Sequence, residues 1–362
     1  MKKIVVDGII FSLQRSGGIS RVWADLLLEL DKVISKDLSV TLLIPKNKNV
    51  EWLRVKERIT KIVLLPRRRF RWGKRSIFLE SLYLSYLAMS LRPHIWHTSY
   101  YVGYPIFPKK LVRVAMFYDM IPEVLGKVNP YDSRVKGKTL EMSDVITAIS
   151  QNSLKDLVRF YPKVNAQMKV LYLFQRVSDF GEGHLLRQVV RPYFLFVGKR
   201  GGYKNFLQVL EVILEKRAFL NFHIFAVGDE SFWSEEELSV LEKYKARWRV
   251  HNLGVVSTGE LGSLMCNSEL VLYPSLYEGF GLPILEAFQF GVPVIACNTS
   301  SIPELVGEKY PLCDPDSPAS WGCVFNELLS NREKWIDYGK ERVRRFTVEK
   351  AVEETLSLYA NL

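Results

Sequence analysis

Cysteine and long apolar runs are both scarce in this sequence. Four cysteines occur in 362 residues, all in the second half and none in a C-x-x-C pair. This disfavours a disulfide framework and favours free thiols in a reducing cytoplasm. No apolar run reaches the roughly 18 uncharged residues of a membrane span, and the strongest candidate, "SIFLESLYLSYLAMSL", contains Glu80 and predicts an amphipathic helix. The N-terminal "MKKIVVDGIIF" is interrupted by Asp7 and predicts a first β-strand, not a secretion signal.

Histidine is also rare, and its spacing disfavours a metal site. The five histidines form no H-x-x-x-H pair, so no zinc site is predicted. Asp314 and Asp316 lie two apart in "CDPDSP", but the prolines of that stretch indicate a turn after a strand. No G-x-S-x-G elbow of an α/β-hydrolase occurs. We therefore expect neither a metal ion nor a prosthetic group.

Positive charge is concentrated in one half of the chain. Residues 1–176 contain 31 Lys and Arg against 14 Asp and Glu, a net charge of +17, whereas the remainder carries −6. So basic a half should attract an anion: nucleic acid, an anionic membrane or a phosphorylated ligand.

Predicted strands and helices alternate along both halves. The strands include "KIVVDGIIF", "LSVTLLIP", "PYFLFVG" and "NFHIFAVG", and the helices include "ISRVWADLLLEL" and "NFLQVLEVILEK". Continuous apolar strands between helices indicate parallel sheets covered on both faces. The pattern lapses between residues 173 and 192, where a linker is predicted. The predicted fold is α/β: two Rossmann-like, doubly wound parallel-sheet domains facing a cleft, with ligands beyond the carboxyl ends of the strands.

Two glutamates flank a glycine loop after the predicted strand "LVLYPS". Glu278 precedes "GFG", and Glu286 lies one turn into the helix "LPILEAFQF". Pro283 suits the first turn of that helix, and Gly291 suits its end. Loop amides and a helix N-terminus attract phosphate, whereas carboxylates accept hydrogen bonds from sugar hydroxyls. The stretch therefore predicts a ligand with a phosphate between two hydroxyl-bearing ends, although one glutamate alone could be a solvated residue at a helix start.

A second glycine-rich turn lies in "FLFVGKRGGYKNF". Gly198 lets the backbone turn closely, and three cations converge on the strand end: Lys199, Arg200 and Lys204. The pattern is not G-x-G-x-x-G, so a nicotinamide site is not supported. Cations at this place can neutralise a diphosphate leaving group. A basic surface loop is the alternative.

Polar residues also follow predicted strands of the basic half. Gly18 and Arg21 open the helix after the first strand, and Tyr118 and Asp119 end "AMFYD". Three residues lie at the end of "HIWHTSYY": His97, Ser99 and Tyr100. Such side chains can contact a sugar, and a core aromatic cluster would give the same pattern.

The segment "PSLYEGFGLPILEAFQFGVPVIACNTSSIPELVG" resembles the signature of retaining glycosyltransferases of the GT-B fold, in particular family 4, over its whole length. Its "EGFGLPILE" is similar to the E-x7-E motif of that family. The resemblance implies that Glu286 binds the ribose of a sugar nucleotide and that Glu278 contacts the transferred sugar. It also implies that backbone amides of four residues hold sugar and phosphate: Gly279, Phe280, Gly281 and Leu282.

The same resemblance assigns the cations that face the donor diphosphate. The Arg/Lys pair of the family corresponds to Arg200 and Lys204, with Lys199 as an alternative for the Arg because the spacing is shorter here. No protein nucleophile is evident. The expected reaction is front-face attack by the acceptor hydroxyl, deprotonated with help from the leaving phosphate.

In the basic half, the resemblance places a Gly-Gly loop across the cleft from the diphosphate, at Gly18 and the nearby Arg21. The family has His where this sequence has Tyr118, and Tyr cannot act as a base near neutral pH, which leaves Asp119 or substrate oxygens. The residues expected to bind the acceptor are His97, Ser99, Tyr100, Tyr118 and Arg21.

The expected domains are an acceptor-binding domain, residues 1–176 plus 346–362, and a nucleotide-sugar-binding domain, residues 177–345. "RGGYKNF" and "GGISR" resemble bacterial mannosyltransferases of polysaccharide assembly. This favours GDP-mannose as donor and a saccharide or lipid-linked saccharide as acceptor, in surface polysaccharide or lipopolysaccharide synthesis. The alternatives are a UDP- or dTDP-sugar donor, or a non-catalytic protein that binds nucleotide sugars.

The stretch "LPRRRFRWGKRSIF" mixes six Lys and Arg with Phe70, Trp72 and Phe78. Arginines beside aromatics suit single-stranded nucleic acid, but no nucleic-acid fold accompanies them, so no such partner is predicted. Cations attract anionic headgroups, and Trp and Phe settle at the membrane interface. The Arg67–Arg75 region therefore predicts peripheral contact with an anionic membrane at its cytoplasmic face, with a solvated basic loop as the alternative.

Overall fold

Each half of the chain builds one sheet of parallel strands covered by helices. The computed structural model describes residues 1–13, 17–34, 37–45, 62–65, 74–101, 107–175, 189–216, 219–228 and 232–362. The chain divides into a first unit, Met1–Phe174 with Val348–Leu362, and a second unit, Gln175–Thr347. The divisions expected from the sequence lie after residues 176 and 345.

The first unit has these described strands: β1 Lys2–Val6, β2 Leu38–Pro45, β3 Ile62–Leu65, β4 Ile95–Thr98, β5 Val112–Phe117, β6 Val145–Ala148 and β7 Gln167–Val170. They form a sheet in the order β3-β2-β1-β4-β5-β6-β7, and every neighbouring pair is parallel. The helices between them are α1 Ile10–Leu13, α2 Gly18–Val33, α3 Lys74–Leu91, α4 Ile121–Val124, α5 Pro130–Glu141 and α6 Gln151–Phe160.

The second unit has the strands β8 Tyr193–Val197, β9 His223–Val227, β10 Val250–Gly254, β11 Leu270–Tyr273 and β12 Val294–Ala296. Their order is β10-β9-β8-β11-β12, again with parallel neighbours. The helices are α7 Phe206–Glu215, α8 Glu235–Lys243, α9 Thr258–Cys266, α10 Leu282–Gln289, α11 Ile302–Val306, α12 Pro318–Ser330 and α13 Arg332–Val343. The chain then returns to the first unit as α14, Val348–Asn361.

The strands are apolar because helices cover both faces of each sheet. β4, β6 and β11 are buried along their whole length. Helices bury one stripe: α7 buries Phe206, Val209, Leu210 and Ile213, the spacing of one helical face. Ser234 and Ser257 begin α8 and α9 with a capping box, which satisfies amides at the helix starts.

The strand order reverses once in each sheet, and the reversal indicates where a ligand site is expected. In the first sheet β2 and β4 lie on either side of β1, and in the second β9 and β11 lie on either side of β8. Loops leave such a reversal in opposite directions, which opens a ligand crevice at the carboxyl ends of the two strands. The loops to inspect are therefore those after β1 and β4, and those after β8 and β11.

The prediction of two doubly wound α/β domains is confirmed. The first predicted strand is shorter than expected, because it ends at Val6 and Ile10 begins α1. "CDPDSP" forms a turn, in which the Asp316 amide donates to Asp314 Oδ1 at 3.0 Å before Ser317 caps α12. Residues 67–73 of the basic region and 176–188 of the expected linker lie outside the described residues. Among the described helices, none combines the length and apolarity that crossing a membrane requires.

Candidate active site

In the second unit, the loops after β8 and β11 meet at the reversal of strand order. The Leu276 amide donates to the Tyr203 carbonyl at 2.8 Å, which ties one loop to the other. The first loop carries the predicted cations, and the second carries the first glutamate of the E-x7-E stretch. The fold therefore brings together two motifs about 70 residues apart in sequence.

The central contact of this site is an ion pair between Lys204 and Glu278. Lys204 Nζ lies 2.6 Å from Glu278 Oε1, with side-chain exposures of 18% and 9%. The ammonium group also lies 5.3 Å from the ring centres of Tyr203 and Tyr273. Because the pair is mostly desolvated, its attraction is stronger than that of a surface pair, and it holds both side chains in place.

Tyr273, the last residue of β11, forms a side-chain hydrogen bond with Glu278. Burial raises the pKa of Tyr273 well above its ordinary value, and the Glu278 charge and hydrogen bond add to that shift. The phenol therefore stays protonated and donates to the carboxylate. Glu278 thus receives a proton donor from β11 and a cation from the loop after β8.

Two serines after β12 fix the backbone of the glutamate loop. The Glu278 amide donates to Ser300 Oγ at 2.9 Å. Ser301 Oγ shares its one proton between the carbonyls of Glu278, at 3.0 Å, and Phe280, at 2.8 Å. Ser300 adopts a left-handed backbone conformation, with φ of 48°, which is unfavourable for a residue with a Cβ. The loop geometry is therefore maintained at a local conformational cost.

Ser300 allows a matched test of this arrangement. Ser300→Ala and Ser300→Gly both remove the oxygen that accepts from Glu278, but only glycine relieves the left-handed backbone. We expect Ser300→Ala to lower the free energy of unfolding by about 1–2 kcal/mol, and Ser300→Gly to be about 1 kcal/mol more stable than Ser300→Ala. Urea denaturation of both variants measures this. Equal stability of the two variants would contradict the assignment.

Glycines keep this edge of the sheet open. Gly281 has φ of 121°, and a Cβ there would lie 3.2 Å from the Leu305 side chain. Gly198 has φ of 131°, and a Cβ on the neighbouring Gly228 would lie 3.3 Å from the Gly198 nitrogen. These positions therefore strongly favour glycine, because a side chain would be strained by the backbone conformation and would meet close neighbours.

The helix α10 carries the second glutamate of the stretch. Gly281 precedes the helix, Leu282 begins it, and Pro283 occupies the first turn as predicted. Glu286 is buried on α10, and Phe280 packs edge-on against Phe346 with ring centres 5.8 Å apart. Gly279, the remaining loop residue, lies between Glu278 and Phe280. The sequence and the structure thus agree on a loop that ends in a helix N-terminus.

Arg200 has a different environment from Lys204. Its Nε donates to Glu237 Oε1 at 2.8 Å, its Nη2 donates to the Phe232 carbonyl at 2.6 Å, and its guanidinium lies 4.8 Å from the Trp233 ring centre. Both members of the Arg200–Glu237 pair are buried. Glu237 also accepts the Ser234 amide in the capping box of α8. The structure therefore places the predicted phosphate ligand Arg200 in a buried ion pair, whereas the alternative, Lys199, is exposed.

In the first unit, the loops after β1 and β4 meet at Asp7. This carboxylate is fully buried and is surrounded by donors. Ser99 approaches Oδ1 through its amide at 2.8 Å and its hydroxyl at 2.9 Å. Thr98 Oγ1 contacts Oδ2, and Trp96 Nε1 lies 3.4 Å from Oδ2. Desolvation raises the pKa of Asp7 to about 7, against the opposing effect of these hydrogen bonds.

Three residues that the sequence assigns to acceptor binding are buried in the structure: His97, Ser99 and Tyr118. His97 Nδ1 lies 2.7 Å from the Tyr359 hydroxyl of α14, and burial lowers the pKa of His97 to about 3. The Tyr118 hydroxyl accepts from Trp23 at 2.7 Å and donates to the Ser99 carbonyl at 2.5 Å. These side chains therefore lie in the interior at the strand ends, bonded to each other and to neighbouring residues, rather than at the surface.

The other predicted residues of the first unit are more accessible. Tyr100 is half-buried and stacks on Tyr118 with ring centres 5.8 Å apart, and burial raises its pKa to about 12. Asp119 is half-buried, and its Oδ1 accepts the Ile121 amide at 3.0 Å. Gly18 begins α2, and Arg21 lies in its first turn. Tyr100 and Asp119 are therefore the groups best placed to meet a ligand at this edge.

Within the described part of the chain, no group of three or more His, Cys, Asp or Glu side chains is arranged to hold a metal ion. Sequence reasoning did not single out Asp7, Glu237, Ser300 or Ser301 as site residues. The strand-end position of Asp7 and the spacing of Ser234 and Glu237 were the available signals.

Comparison with known proteins matches part of the second unit to a family of glycosyl transferases. Residues 185–342 match the family "Glycosyl transferases group 1". The chain is 30% identical over 173 residues to O-antigen chain mannosyltransferase B of Escherichia coli, which covers 46% of this chain and 45% of that protein. It is 24% identical over 184 residues to the O-antigen chain mannosyltransferase RfbU of Salmonella typhimurium, covering 51% and 50%. The chain thus spans about half the length of these curated relatives.

Solved structures extend the likeness of fold to the whole chain. Anabaena Alr3699/HepE in complex with UDP and glucose has a TM-score of 0.71 at 16% identity and covers 100% of both chains. The lipopolysaccharide outer core galactosyltransferase WaaB has a TM-score of 0.69 at 16% identity and also covers 100% of both chains. At these identities the likeness concerns the fold, which is GT-B.

Proposed function

We propose that this chain, whose residues 185–342 form a glycosyl transferases group 1 domain, is a retaining hexosyltransferase. It transfers a hexose from a sugar nucleotide to a saccharide or a lipid-linked saccharide, in surface polysaccharide or lipopolysaccharide synthesis. The observation that carries the proposal is the Lys204–Glu278 pair of 2.6 Å at the strand-order reversal of the second unit. A cation and a carboxylate side by side suit a ligand that carries phosphate next to hydroxyl groups.

The donor binds the second unit in this proposal. Lys204 and the exposed Lys199 face the diphosphate, and the amides from Gly279 to Leu282 hold phosphate and sugar. Glu278 accepts hydrogen bonds from hydroxyls of the transferred hexose, and Glu286 accepts those of the ribose. Arg200 acts through its ion pair with Glu237, which fixes the loop that carries Lys199 and Lys204.

In the proposed reaction one bond is broken, one bond is formed and one proton is transferred. The bond between the anomeric carbon and the phosphate oxygen breaks, and the acceptor oxygen bonds to the same face of that carbon. The acceptor proton passes to the departing phosphate, whose negative charge Lys204 stabilises. The acceptor binds the first unit near Tyr100 and Asp119, and the reaction needs no metal ion.

GDP-mannose is the proposed donor, because the two relatives described above are named mannosyltransferases. A UDP-hexose is the second candidate, since HepE, which covers the whole chain, was solved with UDP and glucose.

A thermal-shift screen with matched turnover assays tests the proposal. GDP-mannose should raise the melting temperature more than GDP-glucose, UDP-glucose or a dTDP-sugar, and GDP release should accelerate when a mannose-accepting glycan is added. A larger shift with UDP-glucose would reassign the donor. A shift without nucleotide release would mark a non-catalytic binder, and the absence of any shift or release would overturn the assignment as an enzyme.

A further inference from the structure

A lysine is buried beside the carboxyl edge of the first sheet, where the sugar acceptor is proposed to bind. Lys136 lies on α5, and only 7% of the residue is exposed. Its Nζ lies 2.9 Å from Glu123 Oε1 and 3.0 Å from Glu123 Oε2, and the two side chains are 9% and 7% exposed. Lysine is almost never buried unless it is paired, because removing an ammonium group from water is costly. Each proton of this ammonium group therefore needs a partner.

The remaining contacts of Lys136 reach the ends of two strands. Its Nζ donates to the Asp119 carbonyl at 3.2 Å and lies 3.9 Å from Met120 Sδ, just after β5. It also lies 5.5 Å from the ring centre of Tyr101, which follows β4. A cation placed over an aromatic ring is attracted to it. Lys136 therefore connects α5 with the segments that follow β4 and β5.

These contacts hold the two residues that the sugar acceptor is proposed to meet. Asp119 is held through its carbonyl by Lys136 and through Oδ1 by the Ile121 amide, at 3.0 Å. Tyr100 packs against Tyr101 with ring centres 4.8 Å apart. Burial raises the pKa of Tyr100 to about 12, and the Asp119 charge adds to this shift, so the two side chains are close enough for one ligand to meet both. A displacement of Lys136 would therefore shift both groups.

Stability alone does not require an ion pair here. The helix α4, which carries Glu123 and is described in full, is four residues long, and none of its apolar residues is buried. The ion pair therefore decides where α4 lies against α5. The Tyr161 hydroxyl adds to this, because it lies 3.5 Å from Glu123 Oε1 and 3.1 Å from the Ser133 carbonyl of α5. An apolar pair is often as stable as a buried ion pair, but it makes no directed hydrogen bond to the Asp119 carbonyl.

We propose that Lys136 is a positioning residue for the sugar acceptor. Held by Glu123, its ammonium group fixes the Asp119 carbonyl and the Tyr101 ring. The Asp119 carboxylate and the Tyr100 hydroxyl are thereby oriented toward an acceptor saccharide, and Lys136 acts through them rather than on the substrate. The inference rests on the proposed function, since it concerns the acceptor of that reaction. Misplacing a group by about 1 Å costs on the order of 100-fold in rate.

Two variants separate this contact from stability. The double variant Lys136→Met, Glu123→Met replaces the ion pair by apolar side chains of similar length, so the protein should stay folded while the Asp119 carbonyl loses its donor. Glu123→Gln keeps that donor but leaves the ammonium group without a counter-charge, so it should unfold at a lower urea concentration than the wild type. We expect the stable double variant to lose acceptor binding, and the less stable Glu123→Gln to keep it.

Steady-state kinetics and hydrogen exchange measure the effect. The kinetic assay uses GDP-mannose and a panel of acceptors: the methyl glycosides of mannose, glucose, galactose and N-acetylglucosamine. In the double variant, the KM for the acceptor should rise at least about tenfold, whereas the KM for the donor, which is proposed to bind the second unit, should not change. Amide hydrogen exchange should be faster at residues 118–127 of this variant. The matched control Arg113→Gln, Asp144→Asn removes an ion pair at the amino edge of the same sheet and should behave like the wild type.

The outcomes separate the alternatives. Unchanged hydrogen exchange at residues 118–127 in the double variant would overturn the proposal whatever the substrate is. An unchanged KM for the acceptor would make the ion pair merely structural, and an equal rise in the KM for the donor would show a general loss of folding. If the wild type neither binds GDP-, UDP- or dTDP-sugars nor transfers their sugar, the proposed function fails and the acceptor role of Lys136 fails with it, whereas the hydrogen-exchange result stands by itself.

Discussion

Replacing Lys204 by alanine should lower the rate of sugar transfer by about 100- to 1000-fold, the effect of removing one preorganised donor to a developing negative charge. Lys204 is the predicted cation that the structure pairs directly with Glu278, at 2.6 Å. Its charge acts where the phosphate leaves, so the loss should fall on kcat more than on KM. Steady-state kinetics with saturating acceptor measures both constants.

Two further variants make this result specific. Lys199→Ala changes a cation that is exposed on the same loop, and it should raise KM for the donor with a smaller change in kcat. Lys204→Ala leaves Glu278 without its cation, so urea denaturation of Lys204→Ala beside the double variant Lys204→Ala, Glu278→Gln, which has no unpaired charge, measures the part of the effect that is lost stability. Unchanged turnover of Lys204→Ala would remove Lys204 from the mechanism and direct attention to Lys199.

The Lys204–Glu278 pair affects how the proposed donor would bind. In the unliganded site, each charged side chain is held by the other. In the proposed mechanism, a donor would offer phosphate to the lysine and hydroxyls to the glutamate, so each charge would exchange its partner for a group of the ligand. Preorganised groups of this kind lose little conformational entropy when the ligand arrives.

The sequence predicts the strand ends of the second unit well because local patterns define them. Apolar strands, the two glycine turns and Pro283 each have a local physical cause, and all appear where expected. The pairing of Lys204 with Glu278 follows from the reversal of strand order, which the alternation of strands and helices already indicates.

The environment of Arg200 could not be predicted in the same way. Its partner, Glu237, is 37 residues away and was visible only as part of a helix start. Arg200 and Lys204 are equivalent in the sequence, since both follow the same strand in the same turn. Only the position of α8 decides that one of them is buried in an ion pair.

In the first unit, the sequence did not predict which polar residues are buried. Polar residues at strand ends were expected to meet the acceptor, yet His97, Ser99 and Tyr118 are buried. Polar groups at a strand end can face a ligand or bond to each other, and the sequence does not distinguish the two. Asp7, which accepts from the amide and hydroxyl of Ser99, interrupts the apolar run of the first strand, and this position at a strand end was its sequence signal.

Asp7 is best described as a carboxyl group that is protonated in slightly acidic solution and ionises around pH 7. Thr98 has one hydroxyl proton, and its Oγ1 lies 2.7 Å from the Tyr100 carbonyl as well as against Asp7 Oδ2. If Thr98 donates to Tyr100, the contact with Asp7 needs a proton on Oδ2. Burial favours the same protonated form, which agrees with a pKa of about 7.

Asp7→Asn should therefore gain stability relative to the wild type as pH rises. The pKa of Asp7 is raised from 3.8 to about 7 on folding, so the stabilisation by protonated Asp7 is complete below pH 3.8 and is lost as pH rises to 7. Between about pH 5 and pH 8 the wild type should lose about 3 kcal/mol relative to Asp7→Asn, at about 1.4 kcal/mol per pH unit until the carboxyl ionises. Asparagine places its Nδ2 donor where Oδ2 lies and keeps the acceptor Oδ1, so the Thr98 and Ser99 contacts remain, while the 3.4 Å contact from Trp96 Nε1 is lost at every pH.

Urea denaturation of both proteins across this pH range gives the difference directly, and subtraction cancels the other titrating groups that the two share. Asp132→Asn, an exposed carboxylate on α5, is the matched control and should follow the wild type at every pH. A difference between wild type and Asp7→Asn that does not change with pH would show that Asp7 is ionised throughout. The four donors around it would then stabilise a buried charge, and Asp7→Asn should be less stable at neutral pH.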